Sequence, residues 1–273
     1  MRLFFINNRI FFLTGCYMNP SLKLITELLL DVAYRLCICS AETRLIVQTT
    51  ERIAKAFGYV DVDVIVLPTH VSVVVHDNGE QYSLLKKVEH IGINMHNLTT
   101  ITHLCLKIEH GELPIEEALK SLKKIKTYAY NPYLMCFVIG FATFAFAFLN
   151  GGSIDASYVG FCTGFLTMAV RLFLQSKKLF PLFVFTMGGF VATLFAYLFG
   201  KYVFMVSEED LKVSMVVSVL LLVPGFPFMN GILDVFKGYS NMGISRLITT
   251  FVLLACVCVG ITMAMEILPG KGW

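Results

Sequence analysis

The sequence predicts an α-helical membrane protein with five transmembrane helices, preceded by a small α+β cytoplasmic domain. Three observations carry that prediction. The chain is 56% hydrophobic and 15% charged, with mean hydropathy +0.72, too apolar for an ordinary water-soluble domain. Composition changes near residue 130, from frequent charges to long apolar runs. Before that point, β-branched stretches alternate with amphipathic ones. The expected division is a poorly defined leader over 1–18, a cytoplasmic α+β domain over 19–130 and a five-helix transmembrane domain over 131–273.

The leader contains "FFLTGC" (11–16), which has the look of a lipoprotein cleavage box. Arg9 splits its apolar region into 3–6 and 10–13, each shorter than the roughly 7–15 unbroken residues a signal peptide needs. A true start at Met18 is the alternative. Residues 21–57 read as helical with a break around Cys39-Ser40. Leu24, Leu28, Val32 and Leu36 form an apolar stripe, and Glu27, Asp31 and Arg35 a polar one at i,i+4 spacing. Gly58 stops the helix. "VDVDVIVLP" (60–68) and "HVSVVVHD" (70–77) read as strands. The turn "DNGE" (77–80) closes a hairpin that continues into 81–85. Two helices follow, 97–110 and 114–126. Pro114 suits the first turn of the second, and Glu116 and Glu117 suit its positive end.

Five apolar spans are expected near 131–150, 157–174, 180–200, 213–236 and 247–268, each long enough to cross a hydrocarbon core of about 30 Å. Lys120, Lys123, Lys124 and Lys126 precede the first. Arg171, Lys177 and Lys178 lie between the second and third, and Lys237 and Arg246 between the fourth and fifth. These clusters fall on one side, which puts the N-terminal domain in the cytoplasm and the C-terminus outside. Arg171 and Arg246 read as snorkelling orientation charges. Gly160 and Gly164 form a GxxxG pair suited to close helix packing.

No enzyme constellation appears: GxSxG, HExxH and a Walker loop are absent. His90, His96, His103 and His110 do not share a short helical face with carboxylates at ligand spacing, so no metal site and no cofactor are expected. The eight cysteines include no CxxC pair and read as free thiols acting as small hydrophobes. A net charge of +3 without a basic–aromatic patch gives no reason to expect nucleic acid. A secondary transporter, or one subunit of it, becomes the leading class. A membrane-anchored regulatory subunit is the competing one.

The fourth span carries the most informative residues, "LLLVPGFPFMNG" (220–231). Pro224 lies midway along it, where a proline removes a helix hydrogen bond at a cost of about 3 kcal/mol. Gly225 adds a free joint, and Pro227 can begin a second half-helix. Freed backbone groups in lipid need partners, so such a break persists mainly where it lines a cavity or packs in protein. A half-helix N-terminus at the midplane suits an anionic group such as a carboxylate. Pro227, Asn230 and Asp234 share one face beyond the break. The candidate substrate-binding residues are therefore Pro224, Gly225, Pro227, Asn230 and Asp234, with Asp155 of the Gly-rich outer loop as a possible gate. Asp234 lies roughly 15 Å beyond Pro224 at helical rise, nearer the cytoplasmic rim, and an Asp234–Lys237 pair at i,i+3 is the equal alternative. A packing kink is the alternative for the prolines.

"LLLVPGFPFMNGILDVFKG" (220–238) followed by "GISRL" (243–247) resembles the threonine/serine exporter (ThrE) family. "LNGGSIDA" (149–156), "SAETRLIVQTTERIAKAFG" (40–58) and "GINMHNLTTITHLCLKIEHGELPIEEA" (92–118) are similar to its outer loop, N-terminal helix and linker helices. Ser40 stands where the family often has glycine, and Leu45 where it often has a basic residue. The resemblance runs from about residue 21 to the end and favours the family's split branch, in which a separate small membrane subunit completes the exporter. It implies a bacterial inner-membrane protein with a carboxylate-bearing substrate, succinate before threonine or serine.

Overall fold

The computed structural model describes residues 2–6, 9–13, 20–89, 91–125 and 130–268. Expectations resting on Cys16, Met18, His90 and Lys126 lie outside the described residues. The chain forms two compact units, Met1–Tyr128 with Pro227–Leu247, and Ala129–Phe226 with Ile248–Trp273. A division at residue 130 places 227–247 in the membrane domain; in the structure they belong to the first unit.

The first unit is built around α1 (Pro20–Ile38). Ile25, Leu28, Leu29, Val32 and Leu36 are all buried on it. One side of α1 lies on β4 (His70–Asp77) and β5 (Glu80–Lys87), and the rest meets α2 (Thr43–Ala56), α3 (Met95–Glu109) and α4 (Ile115–Lys124). β4 alternates as its sequence demands: Val71, Val73 and Val75 are fully buried. Asn78 and Gly79, both at positive φ (48° and 81°), turn β4 into β5. β3 (Asp61–Val66) pairs antiparallel with β4. β1 (Arg2–Ile6) and β2 (Arg9–Leu13), in the segment read as an ill-defined leader, are also strands. They extend the sheet in the order β1-β2-β5-β4-β3.

On α1, Asp31 accepts hydrogen bonds from Arg35 Nε at 2.9 Å and Lys86 Nζ at 3.1 Å. Burial pushes its carboxyl up, but the two cations outweigh burial and hold it below the ordinary carboxylate value.

The second unit contains α5 (Pro132–Leu149), α6 (Ile154–Ser176), α7 (Pro181–Leu198), which ends in a π turn over Phe199–Val203, and α8 (Glu208–Leu220). α9 (Gly225–Phe236) and α10 (Ser240–Ile267) follow. α5, α6, α7 with its π turn, and α10 are long and apolar enough to cross a membrane. The fourth expected span is a bent pair, α8 and α9, so among the described residues the count is four, or five if that pair is one span. Gly160 and Gly164 do face α5, as GxxxG packing requires. A Cβ on Gly160 would meet Thr143 O at 3.1 Å, and one on Gly164 would collide with the Thr143 side chain.

Candidate functional site

The site begins where α1 stops. Ala41 N–H bonds Leu36 O and Ser40 N–H bonds Cys37 O, the paired bonds of a Schellman ending. Ser40 sits at its left-handed position, φ 62°, which favours glycine. The chain then runs extended through Glu42, whose side chain makes no capping bond to α2. The first N–H groups of α2 therefore need an acceptor from elsewhere.

Asp234 on α9 supplies it. Its Oδ1 accepts from Thr43 N–H at 3.0 Å, and its Oδ2 accepts from Thr43 Oγ1 at 2.9 Å and Arg246 Nη1 at 2.9 Å. Arg246, on α10, also donates Nη2 to Ala41 O at 2.8 Å. One turn before Asp234, Asn230 donates Nδ2 to Ser40 O at 2.9 Å. Lys237 pairs with Glu42. Asp234 is fully buried, and the Arg246 side chain is 9% exposed. A carboxylate at a helix N-terminus is favoured by the dipole, and the guanidinium neutralises a charge that burial would otherwise penalise.

Close backbone contact lets α9 and α10 present these charges together. A Cβ on Gly243 would lie 2.7 Å from Gly231 O and 2.8 Å from Val235 N, so only glycine fits. Asp234 and Arg246 each stand three residues past one of these glycines. Cys37 lies near this pair. Burial pushes its thiol up to about 11, with Arg246 acting to lower it and Asp234 to raise it. The thiol stays protonated and is not a nucleophile.

The structure unites Asn230 and Asp234 with four residues the sequence reading did not connect to them, Ser40, Ala41, Thr43 and Arg246. Two expectations are corrected. The Asp234–Lys237 pair is not made, because Arg246 holds Asp234 while Lys237 reaches Glu42. Arg246 is not a snorkelling charge, because both its terminal nitrogens are engaged inside the protein. Residues 221–224 interrupt the helix as expected, with Pro224 outside it, Gly225 its first residue and Pro227 in its first turn. Gly225 has no positive φ, and a Cβ there would meet nothing within 4 Å, so its position does not demand glycine. Asp155 is exposed in the first turn of α6. The carboxylate that binds the backbone of the Gly-rich loop before α6 is Asp210, which accepts from Ser153 N–H at 2.8 Å. Arg171 is partly exposed, and its Nε is sealed from solvent without a partner. Among the described residues no group of His, Cys, Asp and Glu could hold a metal.

The chain matches the family model described as putative threonine/serine exporter over residues 27–268. It is 30% identical to the probable succinate transporter subunit YjjP of Klebsiella aerogenes, over 92% of this chain and 96% of that one. The protein of the same name in Escherichia coli K12 is 28% identical over 92% of this chain and 97% of its own. The threonine/serine exporter of Corynebacterium glutamicum is 25% identical over 64% of this chain and 36% of its own. No solved structure matches significantly. With this match over most of its length and several membrane-length apolar helices, the chain is a multi-pass membrane protein and belongs to the ThrE family of exporters, which are transporters and not enzymes.

Proposed function

We propose that this chain is the larger subunit of an inner-membrane secondary exporter of small carboxylates, with succinate as substrate, acting with a separate small membrane subunit of the YjjB kind. One observation carries the reading. The similarity extends along 96% and 97% of two proteins named succinate transporter subunits, but along 36% of the threonine/serine exporter. Threonine/serine export is the second reading, favoured by the family description.

In this reading the interruption at Pro224, Gly225 and Pro227 handles the carboxylate. Asn230 and Asp234 act one step removed, fixing the register of α9 through Ser40, Thr43 and Arg246, and Asp155 stands at the outer mouth. The α1–β5 region faces the cytoplasm and the C-terminus lies outside. With Arg246 committed to Asp234, that orientation rests on Lys120, Lys123, Lys124, Lys177 and Lys178.

The experiment is efflux of succinate and of threonine from cells lacking the protein, with the chain restored alone or with the small subunit. Succinate efflux returns only with both. Unchanged efflux of both solutes on deletion refutes the reading.

A further inference from the structure

Hydroxyls on the second unit's helices routinely donate back to a carbonyl three or four residues earlier. Thr143, Thr163, Thr186, Ser214, Ser218 and Thr262 all do so. Thr167 on α6 does not, nor do Thr193 on α7 and Thr250 on α10, but only Thr167 stands one turn from an arginine with a buried, unpartnered nitrogen. Thr167 is 5% exposed, and its Oγ1 has no partner. One turn further along the same helix, Arg171 has a buried Nε that is also without a partner. Its guanidinium carbon lies 4.9 Å from the centroid of Phe185 on α7. Among the described residues no carboxylate pairs with Arg171.

A snorkelling arginine buries its methylenes and keeps its nitrogens wet; here a nitrogen is sealed. A guanidinium lodged in a membrane unit without a counter-charge marks a functional position. The two Nη nitrogens, which are not sealed with Nε, form a fork that matches two oxygens of a carboxylate. The approach of the guanidinium carbon to the Phe185 ring is within cation–π range. Thr167, at i−4, lies about 6 Å along the helix, close enough for its hydroxyl to reach the same anion.

We infer that Arg171 and Thr167 form a carboxylate-binding site inside the membrane unit, which the transported solute occupies during export. That the carboxylate is succinate rests on the export reading above; the site itself does not. A lipid phosphate offers similar oxyanion chemistry, so the test separates the two.

The full-length protein, with its small subunit, is placed in vesicles of phosphatidylcholine alone. Modification of Arg171 by phenylglyoxal is followed by mass spectrometry with and without succinate, threonine or acetate. The site predicts at least about tenfold slower modification with a carboxylate present, and about a tenfold or greater loss of affinity in Arg171→Lys. Thr167→Val weakens binding and Thr167→Ser restores it. Failure of every carboxylate to protect Arg171 overturns the site, as does Arg171→Lys binding and exporting like the parent. Loss of co-purifying anionic lipid from Arg171→Lys with unchanged carboxylate affinity assigns the position to lipid and likewise overturns it. Protection by acetate or threonine without succinate export keeps the site and removes succinate as the solute.

Discussion

Arg246→Ala removes the cation bonded to a fully buried Asp234. Thr43 still offers its N–H and hydroxyl, but the carboxylate's charge is uncompensated, and Ala41 O loses its donor. Breaking one side of a buried ion pair costs about 3–5 kcal/mol. Asp234→Ala strands Arg246 instead and also strips the acceptor from the first turn of α2, where losing a cap costs about 1 kcal/mol. Both single variants are therefore expected to lose about 3–5 kcal/mol. The double variant should lose much less than the sum, because neither charge is then left alone, giving a coupling of about 2–4 kcal/mol. Thermal unfolding of the purified protein measures the cycle. Hydrogen exchange adds a local readout. The Thr43 amide should exchange faster in Asp234→Ala, while the Ile46 amide, bonded to Glu42 O, should change little beyond the global loss. Single costs below about 1 kcal/mol that simply add would refute a buried, coupled pair.

Ser40→Gly relieves left-handed strain of about 1–2 kcal/mol, less about 0.4–1 kcal/mol for a freer unfolded chain, so stability measured by thermal unfolding should rise by between about 0 and 1.6 kcal/mol. Gly243→Ala places a methyl against the backbone of Gly231 and Val235 and should cost about 1–3 kcal/mol, whereas Gly225→Ala should stay within about 0.5 kcal/mol; thermal unfolding distinguishes them. Asp31 has a depressed folded pKa, so its contribution is complete above the unfolded value near 3.8 and is lost as pH falls through the lower folded value. Acid unfolding of Asp31→Asn should lack that component, and an unchanged acid profile would contradict the pairing with Arg35 and Lys86.

Periodicity exposed most of the elements because they follow local rules. Valines at every second position give β4 one buried face, and the break at Cys39-Ser40 falls where α1 ends. The interruption near Pro224 was legible because proline cannot continue a helix. The Asp234 network was not, since its partners lie 12 and 191 positions away and no local pattern links them. The nearest signal was the equal offset of Asp234 from Gly231 and of Arg246 from Gly243. A nearer lysine, Lys237, stands at i,i+3 from Asp234 and masks that signal. Charge counting also reads Arg246 as a topology marker, although both its terminal nitrogens are bonded inside the protein.

The glycines of the second unit carry a mechanical consequence. A Cβ on Gly140 would meet Phe161 O at 3.1 Å, and one on Gly160 would meet Thr143 O at 3.1 Å, locking α5 to α6. A Cβ on Gly189 would meet Val257 O at 2.6 Å, and one on Gly260 would strike Thr186 O, locking α7 to α10. Helices keyed main chain to main chain cannot slide past each other without first lifting apart, so each pair behaves as a single beam. Internal motion of this unit is thereby channelled to the seam between the beams, where α6 meets α7 and the Arg171 guanidinium rests on Phe185.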